Sequence, residues 1–314
     1  MRRVMTVDVS VSVKKTPGRG LSNYRRSQWL WAYGLISPTI IGLIVLNIYP
    51  FIYTIWLSFK RSQGLGRVRY IGVKNFVDMF EDTLVWNATI NTLYFTLLTV
   101  PIGIILALIL AALLNNKIRC RDLYRGIYFM PMVVAPAAVA MVWRWIFNAE
   151  FGILNQFLLL FGIKGPSWLA DPNTAILSCA IINIWSAVGY DLVLILAGLQ
   201  SISRSYYEAS EIDGANALQS FRHITIPLIS PTLFFVVIMR AMTALKQFDT
   251  VYLLIKTQNP AYSRGVTLMS LFYREAFEKF NKGYASAIVL LSFVIISAVT
   301  AIQFIAEKKL VHYD

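Results

Sequence analysis

Charge is scarce in this sequence. Only 14% of its 314 residues are Asp, Glu, Lys or Arg, where a soluble domain carries about 25%. Its two cysteines, Cys120 and Cys179, fit neither a metal-site spacing nor a disulfide framework, so they set no redox compartment. Two histidines, His223 and His312, leave little for imidazole acid–base chemistry or metal ligation. No G-x-x-x-x-G-K-S/T phosphate loop occurs, so the chain cannot cradle a nucleotide in that way. What remains is apolar: 57% of residues are hydrophobic and the mean hydropathy is +0.60. A soluble enzyme is excluded. The net charge of +13 on so apolar a chain reads as membrane-surface charge, not as a nucleic-acid footprint.

Six apolar stretches are each long enough to span a bilayer, which takes about 20 helical residues. They run from Trp29 to Ser58, Thr83 to Asn116, Gly126 to Phe147, Thr174 to Gly198, Ile229 to Phe248 and Gly283 to Ala306. The first is too long, and too far from the start, for a signal peptide. Backbone facing lipid must satisfy its own hydrogen bonds, so the fold class is an all-α integral membrane protein with six transmembrane helices. Residues 1–28 are expected to be a basic cytoplasmic tail, 29–306 the membrane domain, and 307–314 a short cytoplasmic tail. Basic residues are densest before helix 1 and in the run Lys117, Arg119, Arg121 and Arg125, which places both termini in the cytoplasm. Tryptophans at helix ends, among them Trp143, Trp168 and Trp185, are expected to anchor at the headgroups.

The connector 201–227 is too ordered to be a plain loop. Ser203 or Ser205 can cap a helix, with Glu208 in its first turn against the positive dipole end. Gly214 is a natural stop, and a second short helix is expected from Ala215 to His223, before Pro227. Two short helices around a glycine form a knob that can fit a partner's groove, or an ordinary amphipathic surface hairpin.

Glu208-Ala209-Ser210, Gly214, then Ile224 and Pro227 resemble the EAA loop of bacterial ABC importer permeases, with Ser210 in place of the second alanine. The flanking Ala197-Gly198-Leu199-Gln200-Ser201-Ile202 and the internal Ile212-Asp213-Gly214-Ala215 are similar to carbohydrate importers of the maltose permease type. Tyr49-Pro50, Asn75-Phe76, Asn91-Thr92, Trp168-Leu169 and Phe248-Asp249 with Tyr252 extend the resemblance over residues 29–306. It implies the type I ABC importer permease fold in the bacterial cytoplasmic (inner) membrane. It further implies a second, related permease subunit, two ATPase subunits carrying ATP and Mg, and an extracytoplasmic solute-binding protein. Glu208, Ala209, Ser210, Asp213, Gly214, Ala215, Ile224 and Pro227 would couple to the ATPase. The chain itself would carry no cofactor, no metal and no catalytic residue.

Four charges interrupt the apolar stretches: Arg144, Asp191, Arg240 and Lys246. An ionised side chain at mid-bilayer costs at least about 2.5–3.5 kcal/mol, so each needs a reason. Arg144 and Lys246 sit near the predicted outer ends and can snorkel. Asp191 lies about 10 Å, and Arg240 about 16 Å, from the cytoplasmic ends of their helices, close enough to pair. The resemblance offers a second role for Arg240. Sugar contacts in similar permeases, carried over to this chain, land on Ser186, Ala187, Tyr190, Arg240, Thr243, Ala244 and Gln247. An arginine among them points to a carboxylate, which it binds in a two-pronged geometry, and hence to uronate oligosaccharides such as alginate or pectin fragments. In the next loop, Lys256-Thr257-Gln258-Asn259-Pro260 replaces the family's usual Thr-x-Gly-Gly-Pro, making it a candidate contact for the binding protein or the sugar.

Three other readings compete. A permease for a polyol phosphate such as glycerol phosphate would use Arg240 equally well. An ion-coupled secondary sugar transporter needs intramembrane carboxylates, of which only Asp191 qualifies, and gives the 201–227 spacing no role. A membrane enzyme lacks any cluster of His, Asp or Glu at a membrane face.

Overall fold

The computed structural model describes residues 19–62, 68–116 and 119–310. Residues 1–18 and 311–314 of the tails, together with Arg67 and Lys117, lie outside the described residues. The chain divides into two compact units between Thr54 and Ile55.

In the first unit, α1 (Arg19–Leu43) begins inside the stretch read as tail, since no proline or glycine falls between Leu21 and Tyr33. It leads into a wide π turn at Ile44–Ile48, where the Tyr49 N–H reaches back to the Ile44 carbonyl. Pro50 then opens α2 (Tyr49–Ser58). Proline lacks an N–H and crowds the carbonyl four residues back, and the widened turn gives that carbonyl room.

The second unit begins at Ile55, within α2, and continues into a small hairpin, β1 (Lys60–Arg61) antiparallel to β2 (Arg69–Tyr70). Asn75 on α3 (Lys74–Glu81) ties it down, its Nδ2 donating to the carbonyls of Ser58 at 2.7 Å and Lys60 at 2.9 Å. Asp82 caps α4 (Thr83–Asn115) by accepting the Leu84 N–H at 2.8 Å. This helix runs unbroken through Pro101 and buries a face of small residues, including Ala88, Thr92, Ala107 and Ala111.

The stretch expected as the third span is not one helix. It divides into α5 (Arg121–Val133) and α6 (Pro136–Ile146), which meet at 97°. The residue before a proline avoids the helical region, and Ala135 accordingly sits at φ −56°, ψ 132°. After α7 (Ile153–Leu159), α8 (Ala175–Ser201) packs against α4 and α5. A Cβ on Gly189 of α8 would collide with the Tyr128 backbone of α5, so this close crossing requires glycine.

The chain continues through α9 (Arg204–Ile212), α10 (Ala217–Ser220), α11 (Ile226–Leu228), α12 (Ser230–Leu245) and α13 (Asp249–Leu254). It ends with α14 (Tyr262–Gly265), α15 (Leu268–Tyr273) and α16 (Lys282–Leu310). A break at Ile229 bends the segment from Ala217 to Leu254 by 67°. Among the described residues, four helices are long and apolar enough to cross a bilayer: Gln28–Ser58, Thr83–Asn115, Ala175–Ser201 and Lys282–Lys308. The number is six if each bent pair is one span.

The main core joins α4, α6, α8 and α12 around Phe95, Ile182, Leu192, Ile195 and Val236. A second cluster, around Met79, Val85, Leu268, Leu271 and Ile288, joins α3, α4, α15 and α16. The paired motifs Asn91-Thr92 serve this packing. Asn91 Nδ2 donates to the Val266 carbonyl at 2.9 Å, and Thr92 Oγ1 accepts the Leu268 N–H at 3.0 Å. Tryptophans expected only as anchors also pack inward. Trp143 meets Trp185 edge-on at 5.5 Å, linking α6 to α8, while Trp168 stacks on Phe147 at 5.7 Å and donates to Asn155 at 2.6 Å.

Candidate functional site: a projecting knob and a buried polar cluster

Two features stand out. The first is the knob at 201–227. Ser203, not Ser205, is the cap: its hydroxyl accepts the Ser205 N–H at 3.4 Å and starts α9. Gly214 ends the turn at φ +77°, in the left-handed region that glycine occupies at least cost. Asn216 and Gln219 then form a reciprocal capping box that starts α10. The second helix is shorter than expected. It gives way after Ser220 to a wide turn at Phe221–Thr225, where the Ile226 N–H reaches the Phe221 carbonyl just before Pro227.

The knob is braced from within. Ser210 Oγ lies 3.0 Å from Ser220 Oγ, and Tyr207 OH lies 3.0 Å from Thr225 Oγ1. Ser210 is therefore buried beneath the two helices, while Glu208, Ala209, Asp213 and Gly214 face outward. Ala215, Ile224 and Pro227 are half-buried at its base. Glu208 pairs with Arg204 at 3.5 Å on the same helix face, and both are well exposed. An exposed pair of this kind contributes under about 1 kcal/mol and exchanges partners readily. Two large apolar side chains project from the tip, Ile212 at 87% and Leu218 at 75% exposure.

The second feature lies between α8 and α12. Arg240 is 4% exposed and Asp191 3%, and Arg240 Nε sits 3.5 Å from Asp191 Oδ2. Neither atom has a hydrogen-bond partner, so the pair is held by charge at a loose distance and not by a two-pronged bond. Arg240 Nη2 donates instead to Asn183 Oδ1 at 2.9 Å, and Asn183 Nδ2 donates to Gln247 Oε1 at 2.8 Å. Gly103 of α4 backs directly onto the guanidinium. Of the expected path residues, Arg240, Ala244 and Gln247 are buried, Ser186, Ala187 and Tyr190 are half-buried, and Thr243 is exposed. Asn183 was overlooked in the sequence. The signal was available: an amide inside an apolar helix, two turns before Asp191, belongs to the same polar face.

Arg144 and Lys246 are exposed in or just beyond the last turns of α6 and α12, where snorkelling accounts for them. No group of three or more His, Cys, Asp or Glu side chains that could hold a metal is present among the described residues.

Long apolar helices, a polar cluster between two of them and a braced knob on the connector define a membrane transport subunit. Residues 99–312 match the family described as binding-protein-dependent transport system inner membrane component. The chain is 32% identical over 276 residues to the sulfoquinovosyl glycerol transport system permease protein SmoG of Agrobacterium fabrum, covering 87% of this chain and 89% of that one. It is 30% identical over 271 residues to the trehalose/maltose transport system permease protein MalF of Thermococcus litoralis, covering 86% and 91%. The fold matches a chain of a bacterial ABC transporter involved in the import of the acidic polysaccharide alginate, with a TM-score of 0.81 at 23% identity, over 94% of this chain and all of the other.

The chain belongs to the binding-protein-dependent transport system inner membrane component family. It is a permease subunit of an ABC importer and has the type I importer permease fold.

Proposed function

We propose that this chain is a membrane-spanning subunit that moves sugars or oligosaccharides into the cytoplasm. The observation that carries this reading is similarity over more than four-fifths of the chain to permeases named for trehalose/maltose and for sulfoquinovosyl glycerol. In this account each bent pair is one span, giving six in the bacterial inner membrane with both termini cytoplasmic. A solute-binding protein delivers the sugar from outside. A second, related permease completes the pathway, and two ATPase subunits hold ATP and Mg.

The 201–227 knob is the mechanical link. Closure of the ATPase pair on ATP moves a docked knob as a unit, because α9 is bonded to α10 through Ser210–Ser220 and to the wide turn after it through Tyr207–Thr225. That motion passes into α8 and α12, which leave the knob at either end and carry the Asp191–Arg240 cluster between them. A cluster with a loose ion pair has two arrangements available to it: closed on itself, or opened onto a passing polar solute. An acidic sugar carboxylate can replace Asp191 opposite Arg240, and the preference for uronate oligosaccharides rests on that exchange.

Deleting the gene in its host and measuring uptake of labelled trehalose, lactose, maltotriose and trigalacturonate tests the reading. Loss of uptake of one or more of these, restored by the gene, is expected. Unchanged uptake of all four with loss of glycerol phosphate uptake would replace it with the polyol phosphate reading.

A further inference from the structure

At the end of α12 remote from the knob, α13 and the segments that follow enclose a cavity of about 410 Å³. Its lining includes Tyr252, Lys256, Gln258, Tyr262, Arg274 and Glu278. This volume falls within the range of about 300–1,000 Å³ typical of small-molecule sites.

The walls are fixed from behind. Phe248, Tyr252 and Tyr273 form a three-ring cluster with centroids 4.7 to 4.9 Å apart. Asn259 pins the loop by donating to the Leu169 carbonyl at 2.9 Å and accepting the Ala261 N–H at 2.8 Å. The Arg274 guanidinium lies 4.8 Å from the Tyr262 ring centroid, a cation–π contact. A wide turn at Arg274–Glu278 brings both ends of that segment to the cavity. Glu278 accepts from the Tyr252 hydroxyl at 3.0 Å. Burial pushes the Tyr262 phenol up to about 12, with Arg274 opposing the rise, so the phenol stays a neutral donor and acceptor.

One group is unsatisfied. Arg274 is buried, and its Nε has no hydrogen-bond partner. Its Nη2 is already paired with Glu275 Oε1 at 3.4 Å, so Nε is the donor left over, and buried donors in folded proteins are nearly always paired. The chemistry on offer is that of sugar recognition: tyrosine side chains, charged groups and an amide for a sugar's hydroxyls. Lys256, Thr257 and Gln258 put an exposed ammonium, a hydroxyl and an amide on one wall.

We infer that this cavity is a saccharide subsite at the entrance of the pathway, holding one sugar unit before it reaches the α8–α12 cluster. It rests on the sugar-importer reading above. The test measures equilibrium binding of tritiated trehalose, lactose, maltotriose and trigalacturonate to the assembled transporter without its binding protein. The Lys256→Ala/Gln258→Ala double variant changes only exposed loop side chains and keeps the fold. Tyr252→Ala is the second variant, with thermal melting as the control for folding.

Loss of such contacts is expected to weaken binding by about tenfold in each variant. Unchanged sugar affinity in both, in a complex that binds sugar, overturns the subsite while leaving the importer reading intact. Weaker docking of the sugar-free binding protein with unchanged sugar affinity also overturns it, and makes the cavity a protein contact. If none of the four sugars binds the complex or stimulates its ATPase through the binding protein, the importer reading itself fails, and the subsite with it.

Discussion

Arg240 and Asp191 face each other at 3.5 Å across α12 and α8, both buried and neither hydrogen-bonded to the other. The pair explains how two opposite charges persist in apolar helices. Under the proposed function, its looseness is what would let the guanidinium exchange Asp191 for another carboxylate.

Removing one charge should cost more than removing both. Breaking a buried pair costs about 3–5 kcal/mol, while an apolar replacement of the whole pair is often neutral. Asp191→Asn is expected to melt well below the wild-type complex, and Asp191→Leu/Arg240→Met close to it. The double variant should also lose uptake of trigalacturonate while retaining that of neutral sugars. Equal losses of both would reduce Arg240 to a structural charge.

Asn183 bridges Arg240 and Gln247, so its loss strands a donor and an acceptor. An unsatisfied buried group costs about 1–3 kcal/mol. Asn183→Leu is expected to lower the melting temperature more than Asn183→Asp, which keeps the acceptor for Arg240. The reverse order in a melting series would show that the bridge is not what holds the cluster.

A side chain at Gly214 would meet nothing on the chain itself, and aspartate is one of the residues that adopts a left-handed φ such as this +77° at modest strain. Gly214→Asp is therefore expected to insert and fold, yet to abolish uptake and uncouple ATP hydrolysis. Ile212→Asp and Leu218→Asp, at the exposed tip, should reduce co-purification of the ATPase by about tenfold or more. Normal uptake by all three would remove the knob from the mechanism.

Ser210 lies inside the knob, bonded to Ser220. Ser210→Ala/Ser220→Ala removes both partners and is expected to change stability by under about 1 kcal/mol, with coupling preserved. Ser210→Ala alone strands the Ser220 hydroxyl and should be the more damaging of the two in an ATPase assay.

Orientation has its own test. Cys120 is exposed, next to the basic run between α4 and α5, and Cys179 is buried in α8. A membrane-impermeant maleimide should label Cys120 in inside-out vesicles and spare it in right-side-out ones, with Cys179 unlabelled in both. Labelling of Cys120 from the outside would invert the topology.

The long apolar runs, uncharged at 83–116 and broken only by Asp191 at 174–198, made these spans legible, since nothing but a membrane or a core accommodates such lengths. The bends were not legible from proline alone. Pro101 sits inside an unbroken α4, whereas Pro136 begins a new helix at 97° to the last. The difference lies in the preceding residue: Ala135 takes an extended conformation, whereas Val100 stays helical. The knob was readable because its glycine, caps and spacing act locally. The Asp191–Arg240 pair followed from helix rise, but the entrance cavity did not. Its residues, from Tyr252 to Glu278, are ordinary one by one, and only the fold brings them around one space.

The most direct measurement is ATP-driven sugar uptake by the complete complex in proteoliposomes, with its binding protein outside and ATP within, using neutral and uronate oligosaccharides in parallel. The account predicts accumulation that requires ATP, the binding protein and Gly214, with uronates favoured over neutral sugars in an Arg240-dependent way. Uptake that continues without ATP, or in Gly214→Asp vesicles at the wild-type rate, would contradict it.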